Sequence, residues 1–323
     1  MNDTRAEKLK DIETIIAGLG EQNYIASRQI STAILIAQNL SKPILVEGSA
    51  GVGKTELALS TAAYLDLPLI RMQCYEGLDE SKALYEWKYG KQLLYTQVLK
   101  EQIGDVLQGA TTLHDSMARL NDFSDVFFSE QFLEARPLLN ALQQKAGAVL
   151  LIDEVDKSNE EFEAFLLEIL SEFQVTIPEI GTIKADTPPI VFLTSNNTRD
   201  MGDALKRRCL HLFIPLPDAK LEERIVAARV PNLDARLRKQ LVFFVQQMRE
   251  LDLKKLPSIS ETIDWARVMV LLHAEDLDRT LVHETLNVLL KFEEDIRTVE
   301  QQSTELIRNA VKGAETGRLA ATA

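Results

Sequence analysis

The stretch GSAGVGKT, residues 48 to 55, holds three glycines, a lysine and a threonine, and it directly follows the apolar run ILVE. Glycine is used where the backbone must approach a ligand closely or adopt a positive φ. The spacing Gly48-x-x-x-x-Gly53-Lys54-Thr55 is typical of a phosphate-binding loop, in which backbone N–H groups surround the phosphates, the lysine reaches the β- and γ-phosphates and the hydroxyl holds Mg²⁺. The alternative is an ordinary glycine-rich turn between a strand and a helix. The residues predicted to contact a nucleotide are Gly48, Ser49, Ala50, Gly51, Val52, Gly53, Lys54, Thr55 and Glu56.

The bulk composition indicates an acidic protein with ample material for a core. Its 323 residues suit two domains, 46% of them are hydrophobic, and the formal net charge is −13. That charge argues against broad electrostatic attraction to nucleic acid or anionic lipid. No apolar run reaches the ~18 residues that span a membrane, and the charged N-terminus MNDTRAEKLKDIE lacks the apolar region of a signal peptide. We therefore expect a cytoplasmic protein that binds no nucleic acid and has no stable membrane insertion.

A second motif distinguishes among the proteins that carry a phosphate loop. LLIDEVD, residues 150 to 156, places Asp153 and Glu154 just past an apolar strand. Asp153 would orient Mg²⁺ through its water shell, and Glu154 would act as general base on the attacking water. The alternative is an acidic turn after a strand. Because a small-molecule kinase would not need this glutamate, the pair favours an NTPase that hydrolyses its nucleotide.

Two further motifs complete the predicted site. In LTSNNT, Asn196 ends a strand and could align the attacking water, although asparagine commonly ends strands. In ALKRRCL, Arg207 and Arg208 end a predicted helix, where they could simply complement its negative dipole end. Alternatively, one of them, with Arg208 favoured, reaches the γ-phosphate of a neighbouring subunit, since arginine stabilises spread negative charge. The predicted catalytic residues are thus Glu154, Asn196, Arg208 and Arg207.

The order of predicted elements indicates an α/β domain followed by helices. Apolar runs such as GAVLLID and IVFLTSN alternate with helical patterns, as in a mainly parallel sheet buried on both faces. Beyond residue 217 only helical patterns occur, at 219–229, 233–251, 260–274 and about 280–312. We therefore predict a nucleotide-binding αβα domain over residues 1–217, a smaller all-helical lid domain over 218–312 and a flexible tail over 313–323.

Taken together, these motifs resemble the AAA+ ATPases, which share the order of phosphate loop, Walker B strand, sensor asparagine and arginine pair before a helical lid. Three longer stretches are similar to the MoxR group, and within it to the CoxD-like branch: QCYEGLDESKALYEWKYGKQLL, LIDEVDKSNEEFEAFLLEILSEFQVTIPEIGTI and SETIDWARV. The resemblance covers most of residues 22 to 275. That branch is associated with maturation of the molybdenum- and copper-containing carbon monoxide dehydrogenase and related molybdenum hydroxylases.

This resemblance implies an AAA+ P-loop fold that uses ATP and Mg²⁺ and assembles as a homo-oligomer, usually a hexameric ring. It also implies a partner protein with a von Willebrand factor A domain, and a chaperone-like activity that activates or inserts a metal centre in a client metalloenzyme. The insert at about 74–95 resembles the helix-2 insertion of the family, and the hairpin at about 174–186 resembles its pre-sensor-1 hairpin.

One position departs from the family pattern. MoxR relatives usually carry a sensor-2 arginine in a Ser-x-Arg context at the start of a lid helix, whereas the stretch here is Ser260-Glu261-Thr262. Thr262 cannot supply a charge to the γ-phosphate. Arg267 is the candidate substitute, the alternative being an ordinary surface arginine. The lid is therefore expected to sense the nucleotide less directly than in relatives.

Two rival classes of function stay open from the sequence. A DNA-directed AAA+ protein, such as a helicase loader or transcription activator, would need a basic patch, a helix-turn-helix module or a DNA-reading loop, and the net charge of −13 counts against it. A nucleotide-gated scaffold would bind ATP with little turnover, and Glu154 and the arginine pair count against that. We therefore favour an ATP-hydrolysing remodelling enzyme.

Overall fold

The computed structural model describes residues 3–106, 112, 129–178 and 180–316, and helices alternate with short strands through its first two thirds. The strands are β1 (Ile44–Glu47), β2 (Leu69–Gln73), β3 (Tyr85–Trp87), β4 (Leu133–Ala135), β5 (Val149–Asp153), β6 (Gln174–Ile177), β7 (Gly181–Lys184), β8 (Ile190–Ser195) and β9 (Leu210–Phe213). The helices among them are α1 (Asp3–Lys8), α2 (Ile12–Glu21), α3 (Arg28–Leu40), α4 (Lys54–Leu65), α5 (Glu80–Ala83), α6 (Tyr89–Val106), α7 (Pro137–Leu142), α8 (Glu160–Glu172) and α9 (Asp203–Arg208). The helices that follow are α10 (Ala219–Arg229), α11 (Ala235–Met248), α12 (Ile259–Leu271), α13 (Arg279–Leu289) and α14 (Glu293–Thr316).

Five strands form one parallel sheet in the order β2-β5-β8-β1-β9. Every residue of β5 and of β8 is buried, which explains their near-continuous apolar sequences. Successive side chains of a strand point to opposite faces, so Val149 and Leu151 of β5 enter one hydrophobic core whereas Leu150 and Ile152 enter another. The sheet is thus covered on both faces, and the predicted α/β fold with a mainly parallel sheet and helices behind it is confirmed.

Helices form a layer on each face of the sheet. On one face, α2, α3 and α4 contribute Ile15, Ile34 and Leu57 to the core, and on the other, α7 and α8 contribute Leu138 and Leu166. Because the strands are parallel, their carboxyl ends lie along a single edge of the sheet, which is where ligands bind in open α/β folds. The loops that follow β1, β5 and β8 meet at this edge.

Two pairs of antiparallel strands lie outside the sheet. In one, β6 pairs with β7, with Gln174 opposite Lys184, where the sequence predicted a hairpin at about 174–186. In the other, β3 pairs with β4, with Tyr85 opposite Ala135. The insert predicted at about 74–95 contains α5, β3 and the start of α6, and α6 continues beyond it to Val106.

Residues 219–316 form helices α10 to α14 around a hydrophobic core of their own. Trp265 is fully buried there, its ring centroid lies 5.4 Å from that of Phe244, and its Nε1 donates to Thr285 at 2.8 Å. The helix predicted at about 280–312 is in fact two helices, because the buried Leu290 adopts an extended backbone between α13 and α14. None of the helices in the described part of the chain is long and apolar enough to cross a membrane.

The end of the chain differs from the flexible tail predicted from residue 313. Helix α14 continues to Thr316, and Gly313 within it is buried against the ring of Phe243, which a Cβ at that position would approach to 3.0 Å. The remainder of the predicted tail, residues 317–323, lies outside the described residues.

Candidate active site

Most of the residues predicted to act on nucleotide meet at the carboxyl edge of the sheet, in a cavity of about 340 Å³. The phosphate loop, Asp153, Glu154 and Asn196 all contribute to its lining. They come from segments that are far apart in the chain, but β5, β8 and β1 are neighbours in the sheet and end at this edge. The geometry therefore brings the phosphate loop, the acidic pair and Asn196 into one site.

The phosphate loop connects β1 to α4, and its lysine is held inside it. Gly53 has a φ of 97° just before the helix, a conformation that costs glycine little. Lys54 is only 7% exposed, and its Nζ donates to the carbonyl oxygens of Gly48 at 2.7 Å and Ser49 at 2.8 Å and to Oδ1 of Asn196 at 2.8 Å. All three donors of the ammonium group are thus satisfied, and the loop is tied to the end of β8.

The ammonium group of Lys54 faces a concentration of acidic side chains. Burial lowers the pKa of Lys54, while the carboxylates of Asp156, Asp153 and Glu154 oppose that shift. Asp153 and Glu154 are also paired with Arg71 and Lys157, but the phosphate groups of a nucleotide would add further negative charge at this edge. A divalent cation would offset part of this repulsion.

Thr55 and Asp153 form a pair of oxygen donors beside the loop. Thr55 Oγ1 lies 3.3 Å from Oδ1 of Asp153, which is 4% exposed and also accepts hydrogen bonds from Thr194 and, at 2.6 Å, from Arg71. Within the described residues, no group of three or more His, Cys, Asp or Glu side chains could hold a metal ion. Mg²⁺ suits such a site, because it usually takes one or two protein oxygens together with phosphates and waters. The residues present therefore fit a Mg²⁺ ion that arrives with the nucleotide.

Glu154 follows β5 in a left-handed conformation, with a φ of 55°, which is uncommon for a residue other than glycine. Its carboxylate accepts from Gln73 Nε2 at 2.7 Å, from Lys157 Nζ at 2.6 Å and from Asn196 Nδ2 at 3.2 Å. The side chain is still 30% exposed, so water can reach it. A carboxylate that is held in place and open to water can serve as a general base when a substrate water lies beside it.

Asn196 connects the lysine to the glutamate, and a buried aspartate holds it there. Its Oδ1 accepts from Lys54 while its Nδ2 donates to Glu154. Asp156, only 3% exposed, accepts from the N–H of Asn196 at 3.3 Å and from the N–H and hydroxyl of Thr198 at 3.0 and 2.6 Å. Burial would raise the pKa of Asp156, but these hydrogen bonds outweigh it and hold the pKa below its usual value. Asp156 therefore stays ionised at neutral pH and fixes the loop that carries Asn196.

The arginines named from the sequence do not line this cavity. Arg207 and Arg208 are exposed at the end of α9, and Nη1 of Arg208 donates to the carbonyl oxygen of Leu167 at 2.9 Å. Arg267 pairs with Asp264 on the surface at 3.0 Å, with both side chains 60% exposed. Any contact of these arginines with phosphate would have to involve a rearrangement or a neighbouring copy of the chain.

Four further polar residues line the cavity that the sequence did not point to: Arg71, Gln73, Thr194 and Ser260. A signal existed for the first two, because polar and apolar residues alternate along β2, and Arg71 and Gln73 lie on its exposed side. Thr194 lies within the apolar run of β8, and Ser260 lies in the helical part of the chain. The local sequence of Thr194 does not indicate the cavity, and for Ser260 the only pointer was the resemblance of its stretch to a sensor-2 position.

Residues 43–209, the segment that contains the phosphate loop, the acidic pair and Asn196, match the family model of the AAA domain, dynein-related subfamily. The chain belongs to this family. It is similar to an uncharacterized protein of Staphylococcus epidermidis, at 24% identity over 244 residues, which are 74% of this chain and 78% of that protein. A protein of Staphylococcus haemolyticus is 23% identical over 284 residues, which are 85% of this chain and 91% of that protein. Among solved structures, a mutant of Thermotoga maritima RuvB is similar with a TM-score of 0.46 at 15% identity, covering 91% of this chain and 82% of that one.

Proposed function

We propose that this AAA protein binds ATP with Mg²⁺ and hydrolyses it to ADP and phosphate. The observation that carries the proposal is that Lys54, Thr55, Asp153, Glu154 and Asn196 share one cavity and contact one another. A cation for phosphate, two oxygen ligands for a metal, a general base and a polar group beside it are the components that NTP hydrolysis requires. Membership of the AAA domain family supports the same reaction.

Each of these residues has a separate part in the proposed reaction. The loop N–H groups and Lys54 bind the phosphates, and Thr55 directly and Asp153 through water would hold Mg²⁺, which would neutralise charge on the phosphate oxygens. Glu154 accepts a proton from the water whose oxygen attacks the γ-phosphorus, while the bond from that phosphorus to the leaving oxygen of ADP breaks. Asn196 orients Glu154 and the attacking water through its amide.

We further propose that hydrolysis drives a MoxR-type chaperone activity on a client metalloenzyme in the cytoplasm. The support is the similarity of the three long stretches quoted above, which cover the insert, the acidic motif with its hairpin and the start of α12. In this proposal the protein works as a hexameric ring with a partner that carries a von Willebrand factor A domain. Its client is a molybdenum hydroxylase such as carbon monoxide dehydrogenase.

Turnover of ATP should depend on Mg²⁺. Excess EDTA is expected to lower phosphate release to the background rate and added Mg²⁺ to restore it, because Thr55 and Asp153 provide too few ligands to hold the metal without nucleotide. Steady-state phosphate release measures both effects. Turnover that survives metal removal would contradict the roles of Thr55 and Asp153, and stimulation by duplex DNA in a parallel assay would favour a DNA-directed protein.

Client capture tests the finer proposal. A tagged Glu154→Gln protein, loaded with ATP in an extract of the native host, is expected to retain a metalloenzyme and a von Willebrand factor A protein, because slow hydrolysis prolongs the ATP state. Mass spectrometry of the retained proteins identifies them. Lys54→Ala is the matched control, since it should not reach that state. Equal recovery with both variants, or retention of DNA-processing proteins alone, would count against a chaperone for metalloenzymes.

A further inference from the structure

Helix α12 of the lid begins directly against the phosphate loop. The carbonyl oxygen of Gly51 accepts two hydrogen bonds from Ser260, one from its hydroxyl at 3.0 Å and one from its backbone N–H at 3.2 Å. Ser260 also lines the nucleotide cavity. The lid therefore contacts the loop that is predicted to bind phosphate, through a residue 209 positions away in the chain.

This contact needs a glycine on the loop side. Gly51 has a φ of 76°, and a Cβ built on it would lie 2.1 Å from Oγ of Ser258 and 3.2 Å from Oγ of Ser260. Ser258 is the N-cap of α12 and forms a capping box with Glu261, so it is not free to move away. The missing side chain of Gly51 thus provides the space in which the first turn of the lid helix meets the loop.

The first turn of α12 is also anchored from the lid side. Thr262 is fully buried and donates to Glu222 at 2.7 Å. Glu222 forms a buried two-contact ion pair with Arg249 at 2.7 and 2.8 Å, and Arg249 Nε donates to the carbonyl oxygen of Pro257, the residue before Ser258. Breaking a buried ion pair is strongly destabilising, so the start of α12 has a fixed place in the lid.

The hydrogen bonds from Ser260 also fix the orientation of the peptide group between Gly51 and Val52. A trans peptide places its carbonyl oxygen and the following N–H on opposite sides. Since the oxygen of Gly51 points to Ser260, the N–H of Val52 points away from the lid helix. The backbone N–H groups of a phosphate loop cradle the α- and β-phosphates, and Gly51 and Gly53, on either side of Val52, line the cavity.

We infer that Ser260 is a positioning residue for nucleotide binding, which fixes the Gly51–Val52 peptide so that its N–H is directed at the phosphates. The inference rests on the proposed binding of ATP. It assigns the coupling between lid and nucleotide to a hydrogen bond on the phosphate loop instead of a charge on the γ-phosphate. Because the α- and β-phosphates are present in ADP as well as ATP, Ser260 acts equally on both nucleotides.

The test compares two nucleotides in three variants by isothermal titration with Mg²⁺, using ADP and a non-hydrolysable ATP analogue. Ser260→Ala is expected to lower the affinity for both nucleotides by the same factor of about 2 to 10, which is what one hydrogen bond contributes. Ser260→Thr keeps the hydroxyl and should bind like the wild type. Leu271→Ala is the control on the same helix, since Leu271 is 74% exposed and does not line the cavity, and it should change neither affinity.

The possible outcomes separate this inference from the proposed function. Unchanged affinity of Ser260→Ala for both nucleotides would overturn it, and so would weakening of the triphosphate alone, which would indicate a γ-phosphate contact. Weakening that Ser260→Thr fails to rescue would also overturn it, because the hydroxyl would then not be the cause. If the wild type binds neither ADP nor the ATP analogue, the proposed function fails first and the inference falls with it.

Discussion

The Glu154→Gln variant is expected to bind ATP as tightly as the wild type and to release phosphate about 10²- to 10⁴-fold more slowly, the range that general-base catalysis contributes. An amide has nearly the size of a carboxylate and keeps one acceptor oxygen, but it cannot take a proton from water. Gln73, Lys157 and Asn196 surround the carboxylate with donors. The substitution thus removes the base while most of its surroundings stay in place.

A comparison with Lys54→Ala separates binding from catalysis. That variant is expected to lose tight ATP binding, because the β- and γ-phosphates lose their charge partner and the loop loses its link to Asn196. Titration calorimetry measures the binding of ATP, and single-turnover phosphate release measures the chemical step. If Glu154→Gln loses binding to the same extent as Lys54→Ala, then Glu154 holds the nucleotide and is not its general base.

The phosphate loop and the acidic pair could be predicted because each is a contiguous motif at the end of an apolar strand. The burial of β5 and β8 on both faces also followed from the sequence, since both segments are mainly apolar and lie inside the sheet. What the motifs do not contain is the strand order. The adjacency of β5, β8 and β1 is what places Asn196 within 2.8 Å of Lys54 and 3.2 Å of Glu154.

The contribution of β2 depends entirely on that strand order. The register with β5 places Gln73 opposite Asp153, and this lets Arg71 reach Asp153 at 2.6 Å and Gln73 reach Glu154 at 2.7 Å. These contacts join residues 82 and 81 positions apart, so no local pattern predicts them. Both acidic residues therefore carry a partner from β2, and Mg²⁺ would have to share Asp153 with Arg71.

The helices after residue 217 show the same limit of local reasoning. Helical periodicity predicts that helices follow residue 217. It does not predict that the N–H and the hydroxyl of Ser260 both donate hydrogen bonds to the carbonyl oxygen of Gly51. The sequence does show that Thr262 lacks a charge. Only the fold shows that the hydroxyl of Thr262 donates a hydrogen bond to Glu222, while Ser260, two residues earlier, contacts the phosphate loop.

Arg208→Ala is expected to lose turnover by about 10³-fold or more, the contribution of an arginine finger to phosphoryl transfer, while still binding ATP. Arg208 does not line the cavity of its own chain, and its Nη1 donates to the carbonyl oxygen of Leu167 on α8. A finger role thus requires a second subunit whose cavity it completes. Head-to-tail interfaces of this kind close into rings when the rotation between neighbouring subunits brings the last subunit against the first. Because more subunits assemble at higher protein concentration, activity per subunit should also rise with concentration.

Mixing two inactive variants tests whether Arg208 acts between subunits. In rings that contain both Arg208→Ala and Glu154→Gln, some interfaces pair an intact Glu154 with an intact Arg208 from the next subunit, so part of the activity should return. Native mass spectrometry establishes that the rings are mixed, and each variant alone gives the baseline. No recovery in mixed rings would mean that Arg208 acts within its own chain or only supports α9. Arg207→Ala is tested in the same mixing experiment, because Arg207 is the adjacent exposed arginine on α9. If activity returns only with that variant, Arg207 and not Arg208 is the arginine finger.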